Sequence, residues 1–438
     1  MPFLGMRGSG SGDWVANEIP EDWREAILYL YPNGDAPLTA ILSKMDKEET
    51  ESDTFHWWTQ ALSRWGGSFT AGELYTDALF ANPYSSGGVA GDTVYVKLTE
   101  AVADMFRVGH QALLRDASDL DVDVNGKVTV VVKAGASSYV AVKLLEADTN
   151  SSNGFLNVAD TILVIGNINA QGAFTPDSIS LDPVEFSNFT QIFRDPLSLT
   201  RTARKTRFRT GDKYRKMKRE ALEMHAVNME KAFFWGVKSS GVGSNNKPEK
   251  TTDGIVRMIR THASSNAVNW ALDSSYAGQT WLQGGESWLN VQLESIFRNG
   301  GSEKIAFCGS GFLKAINDLA IAGAHINLTP ESVSYGIKVR QWLTPYGTLF
   351  LKLHPLFSHE TTNRSSAVIL EPRLLTYRYI DDTMFFGEEN MMANNKSSAG
   401  SGKRMDGTEE EFLTEAGLEY HHPEAFGYLY NVGVPNTA

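Results

Sequence analysis

The chain has 438 residues, 42% apolar and 21% charged, with a net charge of −12 and one cysteine, Cys308. That length allows about three domain-sized units or one elaborated fold with a large core. A single cysteine excludes an intrachain disulfide and a cysteine-rich zinc site. The acidity disfavours a dedicated sequence-specific DNA binder, and no apolar run approaches the roughly 20 residues that span a membrane as a helix.

The first residues, up to Trp14, are rich in Gly and Ser and lack the apolar stretch of a signal peptide. A short helix ending at Tyr31 is stopped by Pro32-Asn33-Gly34, and a second short helix runs from Pro37 to Met45. This arm carries Trp14, Trp23, Tyr29 and Tyr31 but little core of its own, so it must pack on something else. Thr54 to Ser63 reads as a strand. A long Gly/Ser-rich loop, Gly66 to Ala90, follows. Val94, Val96 and Leu98 alternate within Asp92–Val108. Asp119 to Val132 reads as a hairpin turning at Asn125-Gly126, and Ile162 to Ile168 as a further strand. Residues 92–172 therefore form a β-subdomain inserted between Thr54–Ser63 and a later strand, Phe186–Arg194.

A long helix is expected from Asp212, a good N-cap, to Gly236. Tyr214, Ala221, Leu222, Ala226, Met229, Ala232 and Phe233 fall on one arc, with Lys216, Arg219, Glu220, Glu223 and Glu230 on the other. Ser239 to Asp253 reads as a linker. Beyond Ile255 the pattern is α+β: helices at Glu286–Arg298 and Gly311–Ala320, and strands at Lys304–Cys308, Gln341–Leu353, Ala367–Leu370, Leu374–Ile380 and Tyr428–Val434. Residues 390–406 are polar.

No catalytic set, metal site or cofactor site emerges. Asp121-x-Asp123-x-Asn125-Gly126 begins like a calcium loop, but its twelfth position is Val132 rather than a bidentate Glu. His359-Glu360 begins a zinc-protease motif without its second His, and the spacing of His354 and His359 does not share a helix face. Cys308-Gly309-Ser310-Gly311 is neither a nucleophile elbow nor a Walker loop. Asp381-Asp382 reads as a turn, and Glu409, Glu410 and Glu411 as a solvated or inter-subunit face. One charge feature stands out. From Arg194 to Arg219 there are eleven Lys/Arg, among them Arg201, Arg204, Lys205, Arg207, Arg209, Lys213 and Lys216, against two acids. This stretch can contact phosphates non-specifically, pair with an acidic patch of a neighbouring subunit such as Glu409–Glu411, or be solvated.

Three ordered stretches together resemble the major capsid proteins of tailed bacteriophages, the HK97-like fold: Trp23–Thr39 with Asp53–Leu62, Phe189–Pro196 running into Tyr214–Phe234, and Gly417–Tyr430. The resemblance implies an arm at 1–53, an extended loop at 54–205 bearing the inserted β-subdomain, a spine helix and start of the peripheral domain at 206–260, an axial domain at 261–375 and a return to the peripheral domain at 376–438. It implies a non-enzymatic shell subunit that forms hexamers and pentamers around double-stranded DNA inside the virion, assembled in the host cytoplasm; the alternatives are another virion component, a tail or decoration protein, and a hydrolase using Ser310 or a metal at His354 and His359. The shell subunit's partners would be a separate scaffolding protein, a portal and a possible decoration protein, with no membrane and no cofactor.

Overall fold

The computed structural model describes residues 46–60, 65–150, 155–172, 174–176, 178, 182–206, 212–323, 332–334, 337–386 and 407–438. The arm residues Trp14, Trp23, Tyr29 and Tyr31, the helix expected at Pro37–Met45, the basic residues Arg207 and Arg209 and the polar stretch 390–406 lie outside the described residues. Two compact units are present. One comprises residues 60–184, the other the chain up to 59 and from 185 onward.

Strands β1 (Lys47–Glu49) and β2 (Thr54–Thr59) belong to the larger unit. The smaller unit is a seven-stranded antiparallel sheet built from β3 (Gly66–Ser68), β4 (Leu74–Tyr75), β5 (Thr93–Lys97), β6 (His110–Arg115), β7 (Asp123–Val132), β8 (Tyr139–Leu144) and β9 (Thr161–Asn167), with a short helix α1 (Glu100–Ala103). Its strand order is β3-β9-β6-β7-β8-β5-β4. Alternation does the folding: Val94 and Val96 of β5, Val124 and Val128 of β7, and Val140 and Val142 of β8 all enter one core with Leu74, Phe106, Leu114 and Ile162. The unit starts upstream of the expected 92–172, because β3 and β4 arise within what reads as a loop.

The expected turn at Asn125-Gly126 is not there. Both residues lie inside β7, with Asn125 opposite Leu113 and Gly126 opposite Ala112. The chain reverses earlier, over 116–122, where Asp116 and Asp119 accept the backbone N–H groups of Ser118 and Asp121. Val124, Gly126 and Val128 share one face of a single strand, so two apparent hairpin arms are one run of alternation. Gly126 is needed for room: a Cβ there would overlap Val142 Cγ1. Asp123, the third position of the calcium-like pattern, pairs with Arg115 at 3.0 Å.

The larger unit continues with β10 (Val184–Phe189), β11 (Gln191–Thr200), α2 (Arg201–Lys205), α3 (Lys213–Trp235), β12 (Ser239–Val242), β13 (Pro248–Thr251), α4 (Ile255–His262), β14 (Ala267–Asn269), α5 (Trp281–Phe297), β15 (Glu303–Cys308) and α6 (Ser310–Gly323). Then come β16 (Ser332–Ser334), β17 (Ile337–Thr344), β18 (Gly347–Leu353), α7 (Pro355–His359), β19 (Ala367–Leu370), β20 (Leu375–Phe386), β21 (Gly407–Tyr420) and β22 (Gly427–Tyr430). A seven-stranded mixed sheet has the order β14-β22-β19-β15-β18-β17-β16, and a four-stranded sheet the order β1-β20-β21-β11. β15 is buried on both faces, as a central strand should be. Ile305 and Phe307 join Phe233, Phe234, Met258 and Ile259 of α3 and α4 in one core. Ala306 and Cys308 join Trp270, Trp288, Phe312 and Ile316 in another, beneath α5 and α6.

Three further expectations change. Gln341–Leu353 is two antiparallel strands, β17 and β18, because Thr344-Pro345-Tyr346-Gly347 turns the chain. Proline favours that turn, and Thr344 Oγ1 donates to Gly347 O at 2.6 Å while accepting its N–H. Ser239–Asp253 is the hairpin β12–β13 rather than a linker, with Asn246 at φ +59° in its loop. Asp381-Asp382 lies within β20 at a register irregularity, and Asp382 is held by Lys47 at 2.9 Å.

Gly126→Ala should overpack the smaller core and lower its stability by about 1–3 kcal/mol. Urea denaturation followed by fluorescence and circular dichroism measures this, and an unchanged midpoint would contradict the register of β7.

Candidate functional site

The candidate site is the long helix and the strands that grip it, since no convergent catalytic set is found among the described residues. α3 begins where expected, with Asp212 accepting the N–H groups of Tyr214 and Arg215 at 3.0 and 3.3 Å. It ends at Gly236 with φ −55°, so this is not a left-handed cap. Glycine is needed because a Cβ would strike the carbonyl oxygens of Ala232 and Thr252.

The buried face of α3 is Ala221, His225, Met229, Glu230, Phe233 and Phe234. Two assignments therefore reverse: Leu222, expected inside, is exposed, and Glu230, expected on the charged face, is fully buried. Glu230 is compensated by His354 Nε2, 2.7 Å from its Oε1. His354 Nδ1 accepts the N–H of Leu356 at 3.2 Å and so caps α7. With Nδ1 an acceptor, the ring's proton sits on Nε2 and is donated to Glu230. His354 is thus structural, and His359, at the exposed end of α7, does not join it. Among the described residues there is no group of three or more His, Cys, Asp or Glu that could hold a metal.

A second buried histidine ties α3 to three strands. His225 Nδ1 lies 2.7 Å from Asp195 Oδ2 on β11, and Nε2 lies 2.7 Å from Thr414 Oγ1 on β21. Thr414 continues to Thr383 Oγ1 on β20 at 2.9 Å, and Asn228 donates to the other oxygen of Asp195 at 2.9 Å. His354 drew notice only as half of an incomplete zinc pattern, and His225 stands in no motif. His225 was legible only as the residue one turn from both Ala221 and Met229.

Much of the basic stretch is engaged within its own chain. Arg194 grips Glu411 with Nε and Nη2 at 2.9 and 2.7 Å from Oε2, a bidentate-type geometry that point charges do not give. Tyr214 donates to Glu410 at 2.7 Å and is covered by the Arg204 guanidinium. Lys216 pairs with Glu220, Arg219 with Glu223 and Arg215 with Asp212, and Lys218 sits 3.4 Å from the Phe385 ring centroid. Glu409–Glu411 is therefore not a solvated run. It alternates along β21, with Glu409 exposed, Glu410 buried and Glu411 held by Arg194. Lys205 and Lys213 have no ion pair among the described residues.

On the same sheet, Arg378 binds Glu419 and also Glu48 at 2.7 Å, and His421 reaches Glu419 at 2.8 Å. Burial pushes the Glu419 carboxyl up, but His421 and Arg378 outweigh it and hold it below the usual range. Its contribution to stability is present at neutral pH and fades as pH falls below about 4. Cys308-Gly309-Ser310-Gly311 is the turn from β15 into α6, and burial pushes the Cys308 thiol far up, which makes it inert.

A family model described as the SU10 major capsid protein matches residues 9–433. The chain belongs to this family. It is a phage major capsid protein, and its role is structural. The major capsid protein of Pseudomonas phage PaMx41 is 25% identical over 405 residues, covering 91% of this chain and 89% of the relative. A solved structure from Microbacterium phage Oxtober96 is 10% identical, covers 94% of this chain and 95% of its own, and has a TM-score of 0.43. One from Mycobacterium phage Bobi is 8% identical, with coverage of 96% and 94% and a TM-score of 0.42.

Removing Glu230 should leave the buried Nε2–H of His354 without its acceptor. Glu230→Ala is expected to cost about 3–5 kcal/mol, while Glu230→Gln keeps an amide oxygen in place and should cost less. Thermal unfolding of the two variants compares them, and equal losses would contradict the assigned tautomer.

Proposed function

We propose that this capsid protein assembles as hexamers and pentamers of an HK97-like subunit into an icosahedral head around double-stranded DNA. The observation that carries the reading is the family match along nearly the whole chain, 9–433. The fold is compatible with it. α3 would be the spine helix, its flanking segment with β20 and β21 the peripheral domain, and the sheet with α5 and α6 the axial domain. β2 and β10 would form the base of an extended loop whose insertion is the 60–184 unit, and residues 1–53 the arm. A separate scaffolding protein, a portal and a possible decoration protein would take part, with assembly in the host cytoplasm.

Charge supports a division of labour. An acidic chain repels DNA weakly, so a packaged genome would be enclosed without being held tightly. Among the described residues of the basic stretch, Arg194, Arg204, Arg215, Lys216, Lys218 and Arg219 are engaged by their own chain. Lys205 and Lys213 are, among those residues, the candidates for contact outside the chain.

Co-expression with its scaffolding protein should yield closed particles in the void volume and by negative-stain microscopy. A chain that stays monomeric under all assembly conditions would count against the reading. Ala226→Pro, in the middle of α3, should cost about 3 kcal/mol or more locally and abolish particles. Particles of normal yield and shape from this variant would remove α3 from the framework role.

A further inference from the structure

Glu410 and Glu411 are bound by Tyr214 and Arg194 of their own chain. Of that run Glu409 alone stays exposed, so a broader acidic surface for the basic stretch of a neighbouring copy is to be sought elsewhere. The outer face of α5 provides a place. There Glu286, Ser287, Asn290, Val291 and Glu294 line an open groove of about 500 Å³ with Tyr346, from the turn between β17 and β18. No lysine or arginine lines it. Glu294 is already held by Arg298 at 2.6 Å, and Ser287 lies 3.2 Å from the Tyr276 hydroxyl. The Glu286 carboxylate, the Asn290 amide and the Tyr346 hydroxyl have no hydrogen bond or ion pair among the described residues. Glu286 and Asn290 are one helical turn apart, so both face the same side. Val291 and Tyr346, 53% and 43% exposed, supply apolar wall.

The complementary groups are Lys205, at the end of α2, and Lys213, the first residue of α3. Neither has an acidic partner among the described residues, and the N-terminus of α3 adds positive potential to Lys213. We propose that the groove on α5 receives the basic N-terminal end of α3 from a second copy of the chain, with Lys213 and Lys205 meeting Glu286 and the face of Tyr346. An ammonium can use both a carboxylate and an aromatic face. The two surfaces differ, so the contact is heterologous: it passes from copy to copy and can close a ring. This inference rests on the shell reading above, since it needs self-association.

The test is a charge swap in the full-length chain, assembled together with its scaffolding protein, with particle yield followed by sedimentation against protein concentration. Glu286→Lys, and separately Lys205→Glu with Lys213→Glu, should each raise the concentration needed for assembly by roughly tenfold, because like charges then face each other. Combining all three substitutions should restore most of the loss. Glu286→Gln should give a smaller loss and weaken the dependence of assembly on salt, and it decides the matter if Glu286→Lys does not fold by circular dichroism. Wild-type assembly by Glu286→Lys, or two separate losses that the combination fails to relieve, would overturn the proposal. Absence of particles from the wild-type chain would instead strike the shell reading itself.

Discussion

The larger unit depends on how α3 is held. Its C-terminal half is fixed by ordinary burial, with Phe233 and Phe234 fully enclosed between β15 and α4. Its middle is fixed by polar groups inside that burial. His225 touches β11 and β21 at once, and through Thr414 it reaches β20. A buried imidazole with both nitrogens engaged has one orientation, so it sets the rotation of the helix as well as its distance from the sheet. Apolar packing alone tolerates sliding more readily, since many hydrophobic arrangements have similar energy.

The same logic recurs at the other buried charges. Glu230 meets His354, and His354 in turn caps α7. Lys304, fully buried on β15, donates to the carbonyls of Asn299 and Ala425 at 3.0 and 2.8 Å and lies 3.4 Å from Glu371, and burial pushes its ammonium pKa down. In each case a charge inside the protein is matched by a partner from a distant part of the chain. Such pairs are costly to break and add specificity rather than raw stability. A subunit that must present the same surfaces to many neighbours gains from a framework with one arrangement.

Local chemistry was readable from the sequence wherever it decides structure. Asp212 and Gly236 bound α3, the alternation of Val94 and Val96 marked β5, and the turn of Cys308-Gly309-Ser310-Gly311 joins β15 to α6, whereas β7 read as two hairpin arms and β8 was not marked. Partner choice across the chain was not readable. Glu230 looked like a surface residue because its compensating histidine is 124 positions away. Glu410 and Glu411 read as a solvated or inter-subunit face, because their partners in the same chain, Tyr214 and Arg194, precede them by 196 and 217 residues. Asn125-Gly126 looked like a turn because its local signature is strong, yet the steric demand of Val142 across the sheet uses the glycine differently. The groove on α5 has no motif at all; it exists only because the turn at Tyr346 comes to lie beside Glu286 and Asn290.

The central claim is that this family member builds a shell from a subunit whose rigid element is α3 locked on β11, β20 and β21. Electron cryomicroscopy of assembled particles tests it most directly. The account predicts a closed icosahedral shell in which every subunit keeps His225 between Asp195 and Thr414, whatever its position. A shell whose subunits differ in the seating of α3 on these strands, or an assembly that is not a closed shell, would contradict it.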